Sequence, residues 1–482
     1  MEQSSLPLKT EGAPKPHWTM NICVVAAEAS GDVNAALLIE ALQKCPTDPE
    51  QAWHFWGIAG PKMRQVGVED LATVEELSVM GFAEVLGEYV RIRGIHRALE
   101  VEIIKRKPAL LILVDAPSFN LRLAEFAHSL GIIVHYHIPP KVWVHGQGRV
   151  EILRNCCHLV TCVLPFEEEF LRNKNVPALY VGHPLQDSVR QFRDSVRAEL
   201  GEDKEKPTAV CAEKAHKGSF DAVIRAGSGW TRDKQREGVV HVATAGSTEL
   251  FIGLLPGSRK SEVRAHLATL IQAFHQLRQH FAALPPTEAR TLVALIPVAE
   301  TLDKQWFAEK LAEAMQGVEL PNDALRVMHG AMHSVLDQVD YAWVCSGTAT
   351  LETCFFEVPH AVFYKTSWFT YQIAKRIVRV PFASLVNLVA GRELTPELLQ
   401  AKFTAENLVN HARGLLSQPA AMQAARRELH EVSMVFKSGS AGRAANAVIQ
   451  LMGFWSAVPV TERIRSHRIL GMRVRPVSEQ TE

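Results

Sequence analysis

The chain has 482 residues, too many for one ordinary hydrophobic core and enough for two domains with extensions. Apolar residues make up 47% and charged residues 22%, a balance that excludes a collagenous, low-complexity or extensively disordered chain. Lysine plus arginine equals aspartate plus glutamate at 52 each, so no global field recruits nucleic acid, and an anionic ligand must be met by local cations.

Residues 1–19 are polar and proline-bearing, without the apolar stretch of a secretory signal, and read as a flexible leader. From Asn21 short apolar runs alternate with amphipathic segments. ICVVA, AWHFWGI, LLILVD, IIVHYHI, LVTCV and ALYVG are predicted strands, and 33–44 and 121–130 carry the three- and four-residue spacing of helices. Strands alternating with helices imply parallel βαβ units, and the first domain is expected over 20–186. Residues 203–248 mix both charge signs with glycine and show no periodicity, the pattern of an irregular surface insertion. The alternation resumes with LFIGLLP, LVALIPV, LRVM, YAWVC and AVFY, giving a second domain over 249–403. Residues 404–455 read as helices alone, and 456–482 as a basic tail. The eight cysteines are scattered with no Cys-x-x-Cys pair, which fits a reducing cytoplasm better than a zinc site or disulfide framework. The longest apolar run, near 109–114, is far shorter than the roughly 20 residues that a membrane span needs.

In doubly wound sheets, ligands sit at the carboxyl ends of the strands, and four segments fall there. Ser30, Gly31 and Asp32 stand where the first strand turns into a helix, offering free N–H groups; Asp32 is equally open to a role as a helix cap. Asp115 follows five apolar residues and precedes Pro117, so its carboxylate either accepts a proton from a substrate hydroxyl or caps the loop. In LLPGSRKSEV, Gly257 and Ser258 offer backbone N–H groups and Arg259 a guanidinium suited to diphosphate, unless it is merely a solvated charge. Ser346, Gly347 and Thr348 open another helix; Glu352, one turn in, is placed either to accept from ribose hydroxyls or to complement the helix dipole. Neither G-x-G-x-x-G nor a P-loop occurs, which removes the main support for dehydrogenase or ATPase chemistry. His135 and His137 share one strand face, but no third metal ligand is evident beside them.

Together these segments resemble the lipid-A-disaccharide synthase family over about 21–450. The motifs are AEASGD at 27–32, FWGIAGPKM at 55–63, ELSVMGFAEVLG at 76–87, VDAPSFN at 114–120, GHP at 182–184, LLPGSRKSEV at 254–263, CSGTATLE at 345–352 and LVNLVAGREL at 385–394. The resemblance implies a GT-B-like α/β fold, two doubly wound parallel-sheet domains facing a cleft. It implies inverting transfer of diacylglucosamine from UDP-2,3-diacylglucosamine to 2,3-diacylglucosamine 1-phosphate, with no metal or other cofactor. By the same resemblance Asp115 is the catalytic aspartate and Ser30, Gly31 and Asp32 lie on the acceptor side. Gly257, Ser258, Arg259, Ser346, Gly347, Thr348, Glu352 and Asn387 then form the UDP-donor site. Diacyl substrates require a bilayer surface, so peripheral association with the cytoplasmic face of the inner membrane is expected. Met80, Phe82 and Leu86, followed by Arg91, Arg93 and Arg97, supply an apolar-basic segment for an anionic surface.

The family stretch SPxVWAWRxxR appears here as PPKVWVHGQGR at 139–149, with His145 and Gly146 where tryptophan and arginine are expected. Two other readings stay open. A UDP-sugar epimerase of the same architecture would need no lipid surface, which the 80–97 segment argues against. A non-catalytic sugar-nucleotide-binding protein is motivated by the altered 139–149 loop.

Overall fold

The computed structural model describes residues 18–45, 51–74, 85–144, 146, 148–200, 249–286, 288–367, 371–372 and 380–456. Every strand expected from the sequence is present, in two parallel sheets. The first contains β1 (Trp18–Ala26), β2 (Gln51–Ala59), β3 (Glu69–Thr73), β4 (Leu110–Val114), β5 (Ile133–His137), β6 (Leu159–Cys162) and β7 (Ala178–Tyr180), in the order β3-β2-β1-β4-β5-β6-β7. The second contains β8 (Glu249–Leu255), β9 (Thr291–Val298), β10 (Leu325–His329), β11 (Tyr341–Cys345), β12 (His360–Tyr364) and β13 (Glu397–Leu399), in the order β10-β9-β8-β11-β12-β13. The edge strands β3 and β13 were not expected. Both are short, with partly or fully exposed side chains, so neither carries an apolar run.

Central strands such as β4 and β11 are buried at every position, because helices cover both faces of a parallel sheet. The helix Lys260–Ala282 presents Val263, Leu267, Leu270, Ile271, Phe274 and Leu277 to Ile252, Leu254 and Trp343, all buried. Each such side chain contributes about 1.5–3 kcal/mol of apolar burial. In both sheets the chain order reverses beside the first strand, between β1 and β4 and between β8 and β11. The reversal sends successive crossovers to opposite sides and opens a crevice at the carboxyl ends, which fixes the two places where a ligand fits.

The helices over 404–455 do not form a separate layer. Ala405–Leu416 and Pro419–Met434 pack on the second domain, but Ser440–Ser456 lies on the helix Ala29–Lys44, where Ala444, Ala445, Val448 and Leu451 join the core of the first sheet. The return is pinned at the GHP segment. Gly182 has φ +87°, and a Cβ there would come 2.0 Å from Lys437 O, so the crossing requires glycine. Asp187 accepts from Ser440 N at 2.8 Å and Ser440 Oγ at 2.6 Å, and Arg443 Nε donates to Val181 O at 2.9 Å.

Met80 and Phe82 of the expected membrane segment, the 203–248 insertion, and nearly all of the leader and tail lie outside the described residues. Leu86 falls in the helix Val85–Arg106, but its side chain is likewise outside.

Candidate functional site

Adjacent registration of β1 and β4 (Ala26 beside Val114) brings Glu28 and Asp115 out of neighbouring strand ends into the first crevice. Asp115 and Ala116 both have left-handed backbones, at φ +51° and +43°. Two consecutive non-glycine residues there cost about 1–3 kcal/mol each, so the surroundings must impose the turn. They do: Asn120 Nδ2 donates to Val114 O (3.1 Å) and Asp115 O (2.9 Å), and Tyr136 Oη donates to Asp115 O at 2.6 Å. Pro117 then starts the helix Pro117–Ser129 with its φ already suited to the first turn. VDAPSFN is thus one device for re-aiming Asp115. Burial pushes its carboxyl above the ordinary carboxylate range, opposed by the Ala116 N–H and by the charge of Lys141.

Glu28, not singled out from the sequence, is the N-cap of the helix Ala29–Lys44 and makes no capping bond with its side chain. It is exposed toward the crevice. Its pKa is raised, first by partial burial and next by Asp115, while Arg259 of the second domain lowers it. The Glu28 carboxylate is thus within electrostatic range of Asp115 in its own domain and of Arg259 in the other. The available signal was the acid in AEASGD, two residues before Ser30.

Asp32 is corrected. Its carboxylate is 2% exposed and accepts from the N–H groups of Gly60 (3.0 Å), Lys62 (2.9 Å) and Met63 (2.9 Å). It caps the start of Pro61–Gln65 rather than its own helix, and both its oxygens are engaged there. A Cβ on Gly60 would lie 2.4 Å from Asp32 Cγ, which accounts for the glycine in FWGIAGPKM. Ser30 is exposed at the crevice, and Gly31 is buried against Val114 O.

In the second domain, Gly257 has φ +116°, and a Cβ would stand 2.5 Å from Glu262 Oε2. Glu262 accepts from Ser258 N (3.0 Å) and Arg259 N (3.2 Å), and its other oxygen from Arg259 Nη1 at 3.2 Å. The expectation that Ser258 offers a free N–H is therefore corrected: Glu262, at the third helical position, accepts it together with the N–H of the N-cap Arg259, the latter as a capping box. The Arg259 side chain is 68% exposed and its guanidinium pairs with Glu262. Burial lowers the pKa of His266 beneath this turn, where Nδ1 lies 2.8 Å from Pro256 O and Nε2 lies 3.1 Å from both the N–H and the carbonyl oxygen of Lys365.

Ser346 Oγ donates to Ala383 O at 3.0 Å, and Gly347 and Thr348 lie exposed at the start of Thr348–Phe355. Glu352 faces His333 at 3.4 Å. Asn387 is corrected in its direct role. It is fully buried; Nδ2 donates to Thr395 O (2.8 Å) and Glu397 Oε1 (2.9 Å), while Oδ1 accepts from the N–H groups of Leu394 and Thr395 at 2.9 Å. It shapes the loop that carries Ser384 and Glu397 and has no donor left for a ligand. His135 and His137 are held through Thr161 Oγ1, at 2.7 and 2.8 Å, and burial pushes His137 down to about 4.

Three comparisons with known proteins bear on this arrangement. The model of the lipid-A-disaccharide synthetase family matches residues 22–212 and 231–450. Curated relatives with the name lipid-A-disaccharide synthase include that of Anaeromyxobacter sp. (strain K), 34% identical over 91% of this chain and 99% of that protein. The Myxococcus xanthus protein is 32% identical over 89% and 97%, respectively. Among solved structures, a UDP-N-acetylglucosamine 2-epimerase superposes with a TM-score of 0.54 at 13% identity, covering 92% of this chain and 98% of the other. The Neisseria meningitidis UDP-GlcNAc 2-epimerase bound to UDP-GlcNAc gives 0.51 at 10%, covering 90% and 99%. At such low identity these structures establish the two-domain GT-B arrangement and nothing of the reaction. Since the family match spans both crevices and the curated relatives align almost end to end, the chain belongs to the lipid-A-disaccharide synthetase family of glycosyltransferases.

Proposed function

We propose that the chain transfers diacylglucosamine from UDP-2,3-diacylglucosamine to the 6-hydroxyl of 2,3-diacylglucosamine 1-phosphate, giving the β-1,6-linked disaccharide 1-phosphate and UDP. The observation that carries this reading is the strained turn aiming Asp115 into a crevice opposite Arg259, in a chain with curated relatives named for this synthesis. Asp115 takes the proton of the 6-hydroxyl as its oxygen attacks the anomeric carbon from the face opposite UDP. The anomeric C–O bond breaks, and its electron pair leaves on the diphosphate. A carboxylate whose pKa burial has raised is a stronger base for that step. Arg259 stabilises the charge gathering on the departing diphosphate, with Gly257 leaving room for close approach. Ser346, Gly347, Thr348 and Glu352 line the uridine and ribose side, Asn387 shapes the neighbouring loop that carries Ser384 and Glu397, and Ser30 and Gly31 border the acceptor.

No helix among the described residues is long and apolar enough to cross a membrane. The lipid substrates are instead met at the surface. Val90, Val101 and Ile104 are exposed on Val85–Arg106, at helical spacing with the exposed Arg93 and Arg97. That apolar-basic face supports peripheral association with the anionic cytoplasmic leaflet of the inner membrane. The testing experiment incubates the purified protein with both lipid substrates in mixed micelles and analyses the products. Disaccharide and UDP in equal amounts support the proposal; release of an epimerised sugar without an acceptor contradicts it.

A further inference from the structure

Glu352 is the fifth residue of Thr348–Phe355, past the first turn in which an acid complements the helix dipole. Thr348, one turn earlier on the same face, is exposed at the start of the helix. The Glu352 carboxylate is not used up inside the fold, unlike Asp32, Glu262 and Asn387, whose oxygens accept backbone N–H groups. Among the described residues its one polar contact is His333, with Nε2 3.4 Å from Oε1. An ionised carboxylate only accepts, so Nε2 carries the hydrogen in this pair.

His333 is itself held firmly. It sits in the short helix Met332–Leu336, which Val335 and Leu336 anchor in the core. Phe192, from the helix Pro184–Leu200, meets its ring edge-on at 5.5 Å. Phe356, the residue that closes the Glu352 helix, meets it at 5.5 Å and a 45° tilt. The two phenyl rings also contact each other edge-on at 5.9 Å. Arg193 ties the pair together: Nη2 donates to Phe355 O at 3.1 Å, and the guanidinium carbon lies 5.3 Å from the centre of the Phe356 ring. An imidazole packed between two rings has little freedom to turn its Nε2 edge away from Glu352.

We infer that His333 is a positioning residue for the nucleotide, its imidazole holding the Glu352 carboxylate in the pose that accepts the vicinal hydroxyls of the donor's ribose. This rests on the proposed function, which puts Glu352 on the ribose side. A glutamate side chain has several rotatable bonds, and ordering a free one when the ligand arrives weakens binding. Ordering it beforehand removes that loss from the binding step. His333 acts through Glu352, so its effect depends on the ribose hydroxyls and leaves the diphosphate contact of Arg259 alone.

The experiment measures the affinity of UDP and of 2′,3′-dideoxy-UDP by calorimetry for wild type, His333→Phe, His333→Gln, Glu352→Gln and the double variant His333→Phe/Glu352→Gln. Phe keeps a ring between Phe192 and Phe356 but removes the N–H, whereas Gln restores an N–H donor without the ring. Wild type should prefer UDP. His333→Phe should bind UDP roughly tenfold more weakly and dideoxy-UDP nearly as wild type does. It should raise the donor KM while leaving kcat close to that of wild type. His333→Gln should recover most of the preference, and the double variant should lose no more than Glu352→Gln alone. An unchanged preference in His333→Phe overturns the inference, as does an equal loss with both nucleotides, the mark of a merely structural role. A wild type that binds UDP without preferring it over dideoxy-UDP overturns it too. A wild type that binds no UDP instead removes the functional reading beneath it, and the two failures are distinct.

Discussion

Replacing Asp32 by alanine should destabilise the first domain without touching the donor site. The carboxylate accepts three backbone N–H groups, from Gly60, Lys62 and Met63. Lys62 lies at an exposed position, so its N–H regains water and contributes little to the loss. The Gly60 and Met63 donors are buried, and leaving a buried donor unsatisfied costs about 1–3 kcal/mol each. A cavity where the carboxylate stood adds a smaller amount, so the expected loss is about 3–5 kcal/mol, a large part of a typical domain's total. Asp32→Asn, which keeps one acceptor oxygen but turns an NH2 toward another donor, should lose about half as much. Urea unfolding followed by circular dichroism reads the loss as a lower midpoint, and hydrogen exchange at the Met63 amide localises it. UDP affinity should stay within about twofold, because the donor crevice belongs to the other sheet. An Asp32→Ala protein with an unchanged midpoint and a raised acceptor KM would refute the cap and return Asp32 to the acceptor side.

Arg259→Ala should weaken UDP binding by roughly ten- to hundredfold, the value of a charge-assisted contact, with no change in the melting temperature; calorimetry showing wild-type affinity would remove Arg259 from the diphosphate. Replacing Val90, Val101 and Ile104 together by serine should reduce co-sedimentation with anionic vesicles and raise KM for lipids in mixed micelles. The binding that remains should fall steeply with salt, since it rests on Arg93 and Arg97, each worth about 1 kcal/mol near an anionic surface. Vesicle binding equal to wild type would assign that helix face to something other than a membrane.

The parts of this fold that were legible in the sequence are those encoded locally. Five consecutive apolar residues ending at Asp115 announce a buried strand and its exit, and glycine followed by a helical pattern announces the 257–260 turn. The strand order, with its reversals beside β1 and β8, placed those exits together. What could not be read depends on partners distant in sequence or on competition for the same donor. Asp32 could cap its own helix or another one, and only the packing of 61–65 against 29–44 decides. Glu262 could be an ordinary first-turn acid, yet it takes the Ser258 N–H that a ligand was expected to meet. Asn387 sits in a family motif, and its amide is spent on Thr395 and Glu397. Helical periodicity in 440–456 gives an apolar face but does not say which sheet it covers, and it covers the first. The left-handed backbone at Asp115 and Ala116 left no sign in residue type, because neither is glycine.

The central claim is that Asp115 is the base of an inverting sugar transfer, and the most direct measurement is the turnover of Asp115→Asn beside wild type. Both proteins receive UDP-diacylglucosamine and the 1-phosphate acceptor, with disaccharide and UDP quantified and UDP affinity measured in parallel. The account predicts β-linked disaccharide from wild type and a loss of about 10²–10⁴ in kcat for the variant, with UDP affinity and folding retained. Activity within a few-fold of wild type would contradict it and require the proton to leave through another group.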